Sequence, residues 1–424
     1  MTTRPLNTAD HFTLMMDHEI RRSGLAGNFC ALVLELDNNP DAETLRNQSN
    51  RLIARFPDIN VRLKQQGRHF IWQDNPENSP SIFFQHIASS PIEAHGMIED
   101  IINTQTTANE ASPVEFHLIN MPDGAFFLLR WFHPLCDAKG AELMLHYLLN
   151  DKPIEESKDL FRQLTSTWGW WKKIGMMFKA KRHIDAMDQI SSSLPQTLDI
   201  PADKLKIHIT RFDVETSKKI MAKSMKEAGM MGTALYFIGC MMRSLVQVGC
   251  AEQDGFCVPY AMNMRKRKAL FPLLGNQVSF LFAQATMEQV RDRKQLFTSL
   301  RKQHKETVRS GLDHALLPLM EAGSWLPLEK FGNIIRNTPK GQERSSFWFS
   351  YTGEPDPKVT KIGGAKVISM FQLSQVTAPP SLAMLVSQYN GAITLSFSYI
   401  SSQIDKAWLD SLTKTISTEL AGES

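Results

Sequence analysis

The chain has 424 residues, of which 42% are apolar and 21% are charged, and its formal net charge is +3. This length fits about two or three ordinary domains or one large enzyme of two lobes, and the apolar fraction is enough for a sizeable core. The charge is too small to indicate a protein that binds nucleic acid.

The cysteines indicate a reducing compartment. Cys30, Cys136, Cys240, Cys250 and Cys257 are odd in number and show no CxxC spacing, so we expect reduced thiols and no metal site. The first residues lack the basic-then-apolar order of a signal peptide. No apolar run approaches the roughly 18 residues that a membrane helix needs. We therefore expect a soluble, cytoplasmic protein.

Strands and helices alternate in the first third of the chain. The run FCALVLEL, Phe29–Leu36, is typical of a buried strand, and residues 40–59 place apolar side chains on one face of a helix. The other elements predicted here are a hairpin of Val61–Lys64 and His69–Trp72, a helix over Ser90–Thr107, a hairpin of Val114–Ile119 and Ala125–Phe132, and a helix over Ala138–Leu149.

The middle of the chain changes character. The segment Thr167–Ile184 carries three Trp and five Lys or Arg without an acid, and SSSLPQTLDIPADK after it is typical of connecting chain. The first segment is compatible with a helix at a membrane surface, where it would collect a lipid acceptor or a long-chain acyl donor. A crossover helix that packs its aromatics against one lobe and shows its lysines to water is the favoured alternative, because any crossover must bury some side chains.

The second half returns to mixed strands and helices. The strands predicted here are Ile207–Phe212, Phe256–Met262, Val278–Ala285, Ser346–Tyr351, and the hairpin of Leu382–Gln388 and Ile393–Tyr399 around Asn390-Gly391; the helices are Ser217–Ala228, Thr233–Val248, Arg291–Arg309 and Ile404–Leu420. We find no tandem repeat in the sequence. The whole is typical of two α/β halves joined by an irregular crossover.

The stretch RWFHPLCDAKGAELML, Arg130–Leu145, carries the strongest chemical signal. His133 ends a buried strand, and a neutral imidazole near its ordinary pKa of about 6.5 suits proton abstraction from a hydroxyl or an amine. Asp137 either orients this histidine or turns away and braces the loop against an arginine. A histidine that is only a satisfied polar residue would also fit this position. A thiol nucleophile at Cys136 is disfavoured, because its only near base is His133 and cysteine is commonly a small buried residue.

The segment HPLCDAKG resembles the HHxxxDG signature of the CoA-dependent acyltransferase superfamily, which includes chloramphenicol acetyltransferase, condensation domains, wax ester synthases, alcohol acetyltransferases and polyketide-associated acyltransferases. PLNTADHFTLMMD is similar to the LSxxDxxf opening of several of these families. VPYAMNMRKRKALFPLLGNQVSF resembles their R…GN segment through Arg265, Gly275 and Asn276, and SQYNGAITLSFSYISSQID resembles their final hairpin. The four segments stand in the expected order and span nearly the whole chain.

Some positions depart from the pattern. Phe132 replaces the first histidine, which is mostly structural in the family, and Ala138 replaces the glycine after the aspartate, so that a glycine returns only at Gly140. The plant-type DFGWG motif is absent. These departures keep open a non-catalytic member that binds a carrier protein or a lipid.

The resemblance implies an α/β fold with mixed sheets, in which two chloramphenicol-acetyltransferase-like lobes form a V around a central channel. The N-terminal lobe would be residues 1–165 with the HxxxD motif, the crossover linker 166–203 and the C-terminal lobe 204–424. It further implies transfer of an acyl group from acyl-CoA or acyl-phosphopantetheine to a hydroxyl or amine, without an acyl-enzyme, a metal or a permanently bound cofactor. A free-standing enzyme that forms an amide is the alternative within enzymes.

Roles follow residue by residue from the resemblance. His133 would be the general base, Asp137 would pair with Arg265 across the lobes, Gly140, Gly275 and Asn276 would support the loop, and Ser350 or Thr352 would stabilise the oxyanion. Arg265 could instead be a solvated member of the basic run 265–268, which would attract the phosphates of CoA or of a carrier-protein arm. The expected partners are a small-molecule or lipid acceptor, an acyl carrier protein and, through residues 167–184, the inner membrane face, and we expect a monomer in lipid or secondary metabolism.

Overall fold

The computed structural model describes residues 3–67, 69–75, 82–107, 112–150, 160–165, 168–266 and 271–422. Helices and strands mix throughout these ranges, which confirms the predicted α/β class. The strands are β1 (Thr3–Pro5), β2 (Phe29–Leu36), β3 (Val61–Gln66), β4 (His69–Asp74), β5 (Phe83–Ile87), β6 (Val114–Met121), β7 (Gly124–Phe132), β8 (Leu205–Phe212), β9 (Gly255–Asn263), β10 (Val278–Thr286), β11 (Trp348–Gly353), β12 (Lys361–Ile362), β13 (Ala365–Leu373), β14 (Leu382–Tyr389) and β15 (Ala392–Ile400).

Helices cover the sheets and connect them. They are α1 (Thr8–Arg22), α2 (Ala42–Arg55), α3 (Pro91–Asn103), α4 (Ala138–Leu149), α5 (Trp170–Met187), α6 (Val214–Ala228), α7 (Thr233–Gln247), α8 (Met287–Arg291), α9 (Arg293–Arg309), α10 (Leu312–Gly323), α11 (Leu328–Arg336) and α12 (Lys406–Ala421). The predicted helix over 291–309 begins at Arg293 because Asp292 accepts a hydrogen bond from the backbone N–H of Gln295 (3.0 Å) and caps it there.

The larger sheet has the strand order β12-β13-β2-β7-β6-β5. Its central strands β2 and β7 are almost wholly buried, which explains their nearly continuous apolar sequences. Strand β13, which sequence analysis did not predict, pairs with β2 so that Leu373 lies opposite Ala31. Residues 361–373 fall within the predicted C-terminal lobe, yet they are hydrogen-bonded into the sheet that carries the HxxxD motif.

The other sheets of the described residues are the four-stranded β11-β14-β15-β8, the three-stranded β1-β4-β3 and the pair β9-β10. The predicted hairpin of β14 and β15 is confirmed, with Tyr389 opposite Ala392. Its turn needs two left-handed residues, which Asn390 (φ 52°) and Gly391 (φ 80°) supply. Helices α6, α7, α9 and α12 bury their apolar faces against this half.

The crossover contains helix α5, which exposes aromatic side chains. Trp170 and Phe178 are each 70% exposed and Trp171 is 82% exposed, so the expectation that these aromatics pack against one lobe is wrong for all three. The helix is held by its other face, where Ala180 packs with Ala315 of α10. Among the described residues no single helix is long and apolar enough to cross a membrane; α6 and α7 pass that test only as a pair, and the pair is bent by 94°.

Candidate active site

His133 lies where the six-stranded sheet meets helix α4. Strand β7 ends at Phe132, a short turn spans His133–Leu135, and Asp137 caps α4. The backbone N–H of His133 donates to the carbonyl of Asn28 (2.9 Å), which fixes the turn to the segment before β2. His133 is half-buried and lines a cavity of about 160 Å³. The backbone of the turn is therefore fixed, while the residue borders open space.

The surroundings of the His133 imidazole favour its neutral form. Burial lowers the pKa of His133 below its ordinary value, although its own backbone carbonyl, Asp137 and Asn276 each act to raise it. Its Nδ1 is buried and has no partner of ordinary geometry among the described residues. We assign the proton to Nδ1, facing its own backbone carbonyl, so that Nε2 carries the lone pair.

Asp137 turns away from the histidine and binds Arg265. Arg265 donates to its two carboxylate oxygens at 2.7 Å and 3.0 Å, and both side chains are nearly inaccessible, with 2% of Arg265 and 6% of Asp137 exposed. Burial alone would raise the pKa of Asp137, but Arg265 and the backbone N–H groups of Gln277 and Gly140 hold it below its ordinary value. Of the two sequence interpretations of Asp137, the structure shows the brace, and Arg265 is a buried partner rather than a solvated member of a basic run. Residues 267 and 268 of that run lie outside the described residues.

The segment 273–277 clamps the histidine turn from the other half of the chain. The N–H of Gly275 donates to Leu135 O (2.8 Å), Asn276 Nδ2 donates to His133 O (2.9 Å), and the N–H of Gln277 donates to Asp137 (2.8 Å). Gly275 has φ +77°, and an added Cβ would lie 2.9 Å from the Asn7 side chain. Three consecutive residues thus hold three points of the motif.

Packing explains why a glycine stands at position 140, two residues after the position where the family has it. An added Cβ at this position would lie 2.4 Å from the carbonyl oxygen of Leu273, so only glycine lets the first turn of α4 approach the clamp. Ala138, which stands where the family has its glycine, lines the cavity instead. Phe132, which replaces the first histidine, is buried beside Phe29 with ring centroids 5.1 Å apart. Both departures are thus accommodated by local packing.

Asp10 supports the clamp, a role that the sequence did not indicate. It is fully buried and accepts hydrogen bonds from the backbone N–H (2.7 Å) and Nδ2 (2.9 Å) of Asn276 and from the N–H of Asn7 (2.8 Å). Burial raises the pKa of Asp10 to about 7, against the lowering effect of these donors and of Arg4. Through Asn276, Asp10 is linked to the carbonyl of His133. The only sequence signal was its position in the opening segment PLNTADHFTLMMD.

The cavity beside His133 is built from both halves of the chain. Strand β11 contributes Trp348 and Ser350, and β13 contributes Gln372, whose Nε2 donates to Glu142 (3.3 Å). Thr352 lies outside the cavity lining, because the register shifts between Tyr351 and Gly353 and its hydroxyl turns to Val386 O (3.3 Å) on β14. The structure thus brings Ser350, and not Thr352, to the histidine's cavity. Gln372 and Trp348 were missed by sequence reasoning.

The thiol inside the motif is not activated, and the described ranges hold no cluster of metal ligands. Burial raises the pKa of the Cys136 thiol well above its ordinary value, so this thiol is not an activated nucleophile. All five cysteines are free. No group of three or more His, Cys, Asp or Glu side chains within the described ranges could hold a metal ion.

Comparisons with known proteins give the fold. No family model matches the chain, and no curated protein matches it by sequence. Among solved structures, it is similar to the TRI3 trichothecene 15-O-acetyltransferase from Fusarium sporotrichioides (TM-score 0.75, 12% identity, 99% of this chain and 94% of that chain covered). It is also similar to a starter condensation domain of rhizomide synthetase, solved with C8-CoA and Leu-SNAC (TM-score 0.70, 12% identity, 100% and 95% covered), and to polyketide synthase associated protein 5 from Mycobacterium tuberculosis (0.65, 12%, 99% and 98%). At this identity the likeness shows the fold alone.

Proposed function

We propose that this chain, which has the fold of the CoA-dependent acyltransferase superfamily, transfers an acyl group from a thioester to a hydroxyl or an amine. The observation that carries the proposal is the setting of His133. The turn that carries it is clamped by residues from the other half of the chain, burial favours its neutral form, and it lines a cavity that both halves build.

The chemistry follows from the lone-pair nitrogen of His133. His133 Nε2 takes the proton of the acceptor as the acceptor oxygen or nitrogen attacks the thioester carbonyl carbon. The tetrahedral oxyanion then collapses and the carbon–sulfur bond breaks. The departing thiolate takes the proton from the imidazolium. The products are an ester or amide and a free thiol, and the histidine is regenerated without an acyl-enzyme.

Ser350 is the better candidate for the oxyanion donor. It lines the same cavity as His133 from the opposite half of the chain, whereas the Thr352 hydroxyl is engaged with β14. A preorganised hydroxyl stabilises the negative charge that develops on the carbonyl oxygen, and it does so more strongly away from water. Asp137 and Arg265 act as positioning residues, because they fix the turn that carries His133 and do not touch the cavity.

The donor is acyl-CoA or an acyl group on a phosphopantetheine arm. The rhizomide synthetase domain was solved with C8-CoA, which supports a soluble acyl thioester as donor. For the acceptor we propose a small molecule or a lipid, and for the exposed aromatics of α5 a peripheral contact with a membrane in the cytoplasm. One chain supplies both walls of the cavity, which supports a monomer.

A second candidate is a non-catalytic protein that binds a carrier protein or a lipid. It is favoured by the departures at Phe132 and Ala138. Tight binding of an acyl thioester without transfer to any acceptor would favour this candidate over the enzyme.

The experiment is an assay of free thiol. Purified protein is incubated with a panel of acyl-CoAs and with alcohols and amines, and thiol release and product mass are measured. We expect release that depends on the acceptor and an intact protein mass without an acyl adduct. A stable acyl adduct on the protein, or release that does not depend on any acceptor, would contradict the proposed mechanism.

A further inference from the structure

Three neighbouring cavities follow one another from His133 toward the surface beside α5. The cavity at His133, of about 160 Å³, shares Phe12, Phe280 and Trp348 with a second cavity of about 50 Å³. A third cavity, of about 660 Å³, lies between α5, α10 and α11. The second and third cavities share four wall residues, which are Ile184, Leu319, Ile335 and Arg344. The three cavities thus share walls in series, and the smallest stands between the cavity at His133 and a much larger one.

The smallest cavity has fixed, apolar walls. Phe12 and Phe280 pack with their ring centroids 4.6 Å apart, and Trp348 is anchored because its Nε1 donates to Thr377 Oγ1 (2.8 Å). Leu319 of α10 is half-buried and faces both the second and the third cavity. Such a constriction admits a thin apolar chain and excludes a polar one, because a polar group there would lose its hydrogen bonds to water.

Two ion pairs line these walls among the described residues: the solvent-exposed pair of Lys181 and Asp185 at the mouth, and the buried pair of Arg344 and Asp188, whose hydrogen-bond donors are all used. Arg344 binds both carboxylate oxygens of Asp188 (2.9 Å and 3.0 Å) and donates to the carbonyls of Ile334 (3.1 Å) and Asn337 (3.0 Å). It therefore joins the end of α5 to the end of α11 and frames the opening. With its donors used in this way, it offers little to a charged ligand, and the recognition chemistry is apolar.

The third cavity opens beside exposed apolar side chains. Leu326 and Ile334 line it and are exposed on its rim, and Lys181 of α5 lines it as well. Phe178, three residues before Lys181, is exposed on the same helix. An opening of this kind suits a chain that arrives from an apolar phase.

We propose that these cavities hold the long unbranched aliphatic chain of a substrate whose reacting group lies at His133. The inference rests on the proposed function and gives it a substrate class: a fatty acyl thioester as donor, or a long-chain alcohol or amine as acceptor. The two sources share the same chemistry, and kinetics with two substrate series distinguish them.

The kinetic test varies one chain at a time. Acetyl-, octanoyl- and palmitoyl-CoA are compared with a fixed acceptor, and then ethanol, octanol and hexadecanol with a fixed donor. For the substrate that occupies the cavities, kcat/KM rises by roughly fourfold per methylene over the part of the chain they hold. In Leu319→Trp this preference is lost while the short-chain rate is kept. His314→Trp, on an exposed position of the same helix that lines none of the three cavities, is the matched control.

A binding test separates this inference from the proposed function. The probe is cis-parinaric acid, a fluorescent unbranched fatty acid, which should bind wild type, His314→Trp and the inactive His133→Ala. It should bind Leu319→Trp at least tenfold more weakly, which corresponds to the loss of contact with roughly two methylene groups. If Leu319→Trp does not fold, Ala322→Trp is used instead, because Ala322 lines the third cavity and a tryptophan there would also fill it. Binding without any transfer would sink the proposed function and leave the chain site standing. Equal binding by plugged and wild-type protein, or equal loss of short-chain and long-chain rates, would overturn the inference.

Discussion

The ion pair between Asp137 and Arg265 gives the sharpest stability prediction. In Arg265→Met the Asp137 carboxylate loses both guanidinium donors and stays buried, with only the N–H groups of Gln277 and Gly140 bound to it. Removing one partner of a buried pair costs about 3–5 kcal/mol. Because two backbone donors still bind the carboxylate, we expect a cost at the lower end of this range, about 3 kcal/mol. This corresponds to a roughly 10²-fold fall in the ratio of folded to unfolded protein.

The pH dependence identifies the cause. In the wild type the pKa of Asp137 lies below its ordinary value, so the pair stabilises the fold above the pKa of an unfolded aspartate, about 3.9, and this contribution is lost as the pH falls through the folded-state pKa. Without Arg265, burial is no longer opposed by the guanidinium and raises that pKa, so the carboxylate destabilises the fold more as the pH rises. The difference in the free energy of unfolding between wild type and Arg265→Met is therefore largest near neutral pH. It becomes smaller as the pH falls toward about 4.

Urea unfolding of both proteins at several pH values measures this difference, with Lys266→Met as the control. Lys266 neighbours Arg265 in sequence and is exposed, so its loss should change the free energy of unfolding by no more than about 0.5 kcal/mol. A cost for Arg265→Met below about 1 kcal/mol, or a cost that does not change with pH, would refute the reasoning from a stranded buried charge.

Three further predictions concern turnover and the surface. Ser350→Ala lowers kcat by about 10²-fold to 10³-fold, the usual effect of losing one oxyanion donor, whereas Thr352→Ala leaves it nearly unchanged. Because burial lowers the pKa of His133, the acid limb of kcat/KM lies below about pH 6.5, which a pH profile measures. The protein binds anionic liposomes weakly at low salt, and Trp170→Ala with Trp171→Ala abolishes this binding in a sedimentation assay.

Each of these predictions has a contrary result. Equal losses for the two hydroxyl variants would remove Ser350 as the donor. An acid limb above pH 6.5 would mean that the ring is more exposed or more strongly paired than the structure shows. Met230→Ala with Met231→Ala, an exposed apolar pair at the α6–α7 turn, is the control for the liposomes. No binding by the wild type at low salt would discard the membrane contact.

Local patterns predicted most of the strands and helices, because alternation, helical periodicity and turn residues act over a few positions. The Asn390-Gly391 hairpin and the β2 and β7 strands are examples. Strand β13 could not be predicted in this way, since its partner β2 lies more than 300 residues earlier in the chain and only the assembled sheet gives the segment its role.

The site was predicted where the resemblance carried it and missed where the contacts are long-range. Asp137 and Arg265 were expected to meet, and they do. The link from Asp10 to Asn276 joins residues 266 positions apart, and no spacing in the sequence reveals it. The choice between Ser350 and Thr352 depends on a register shift in β11, which side-chain alternation does not predict.

The most direct test of the account is the acyl-transfer rate of His133→Ala. We predict a fall in kcat/KM of about 10²-fold to 10⁴-fold, as for the loss of a general base. The control is His146→Ala, which should keep the wild-type rate, because His146 lies near the end of α4 and lines none of the described cavities. Undiminished transfer by His133→Ala, in protein that folds as the wild type does, would contradict it.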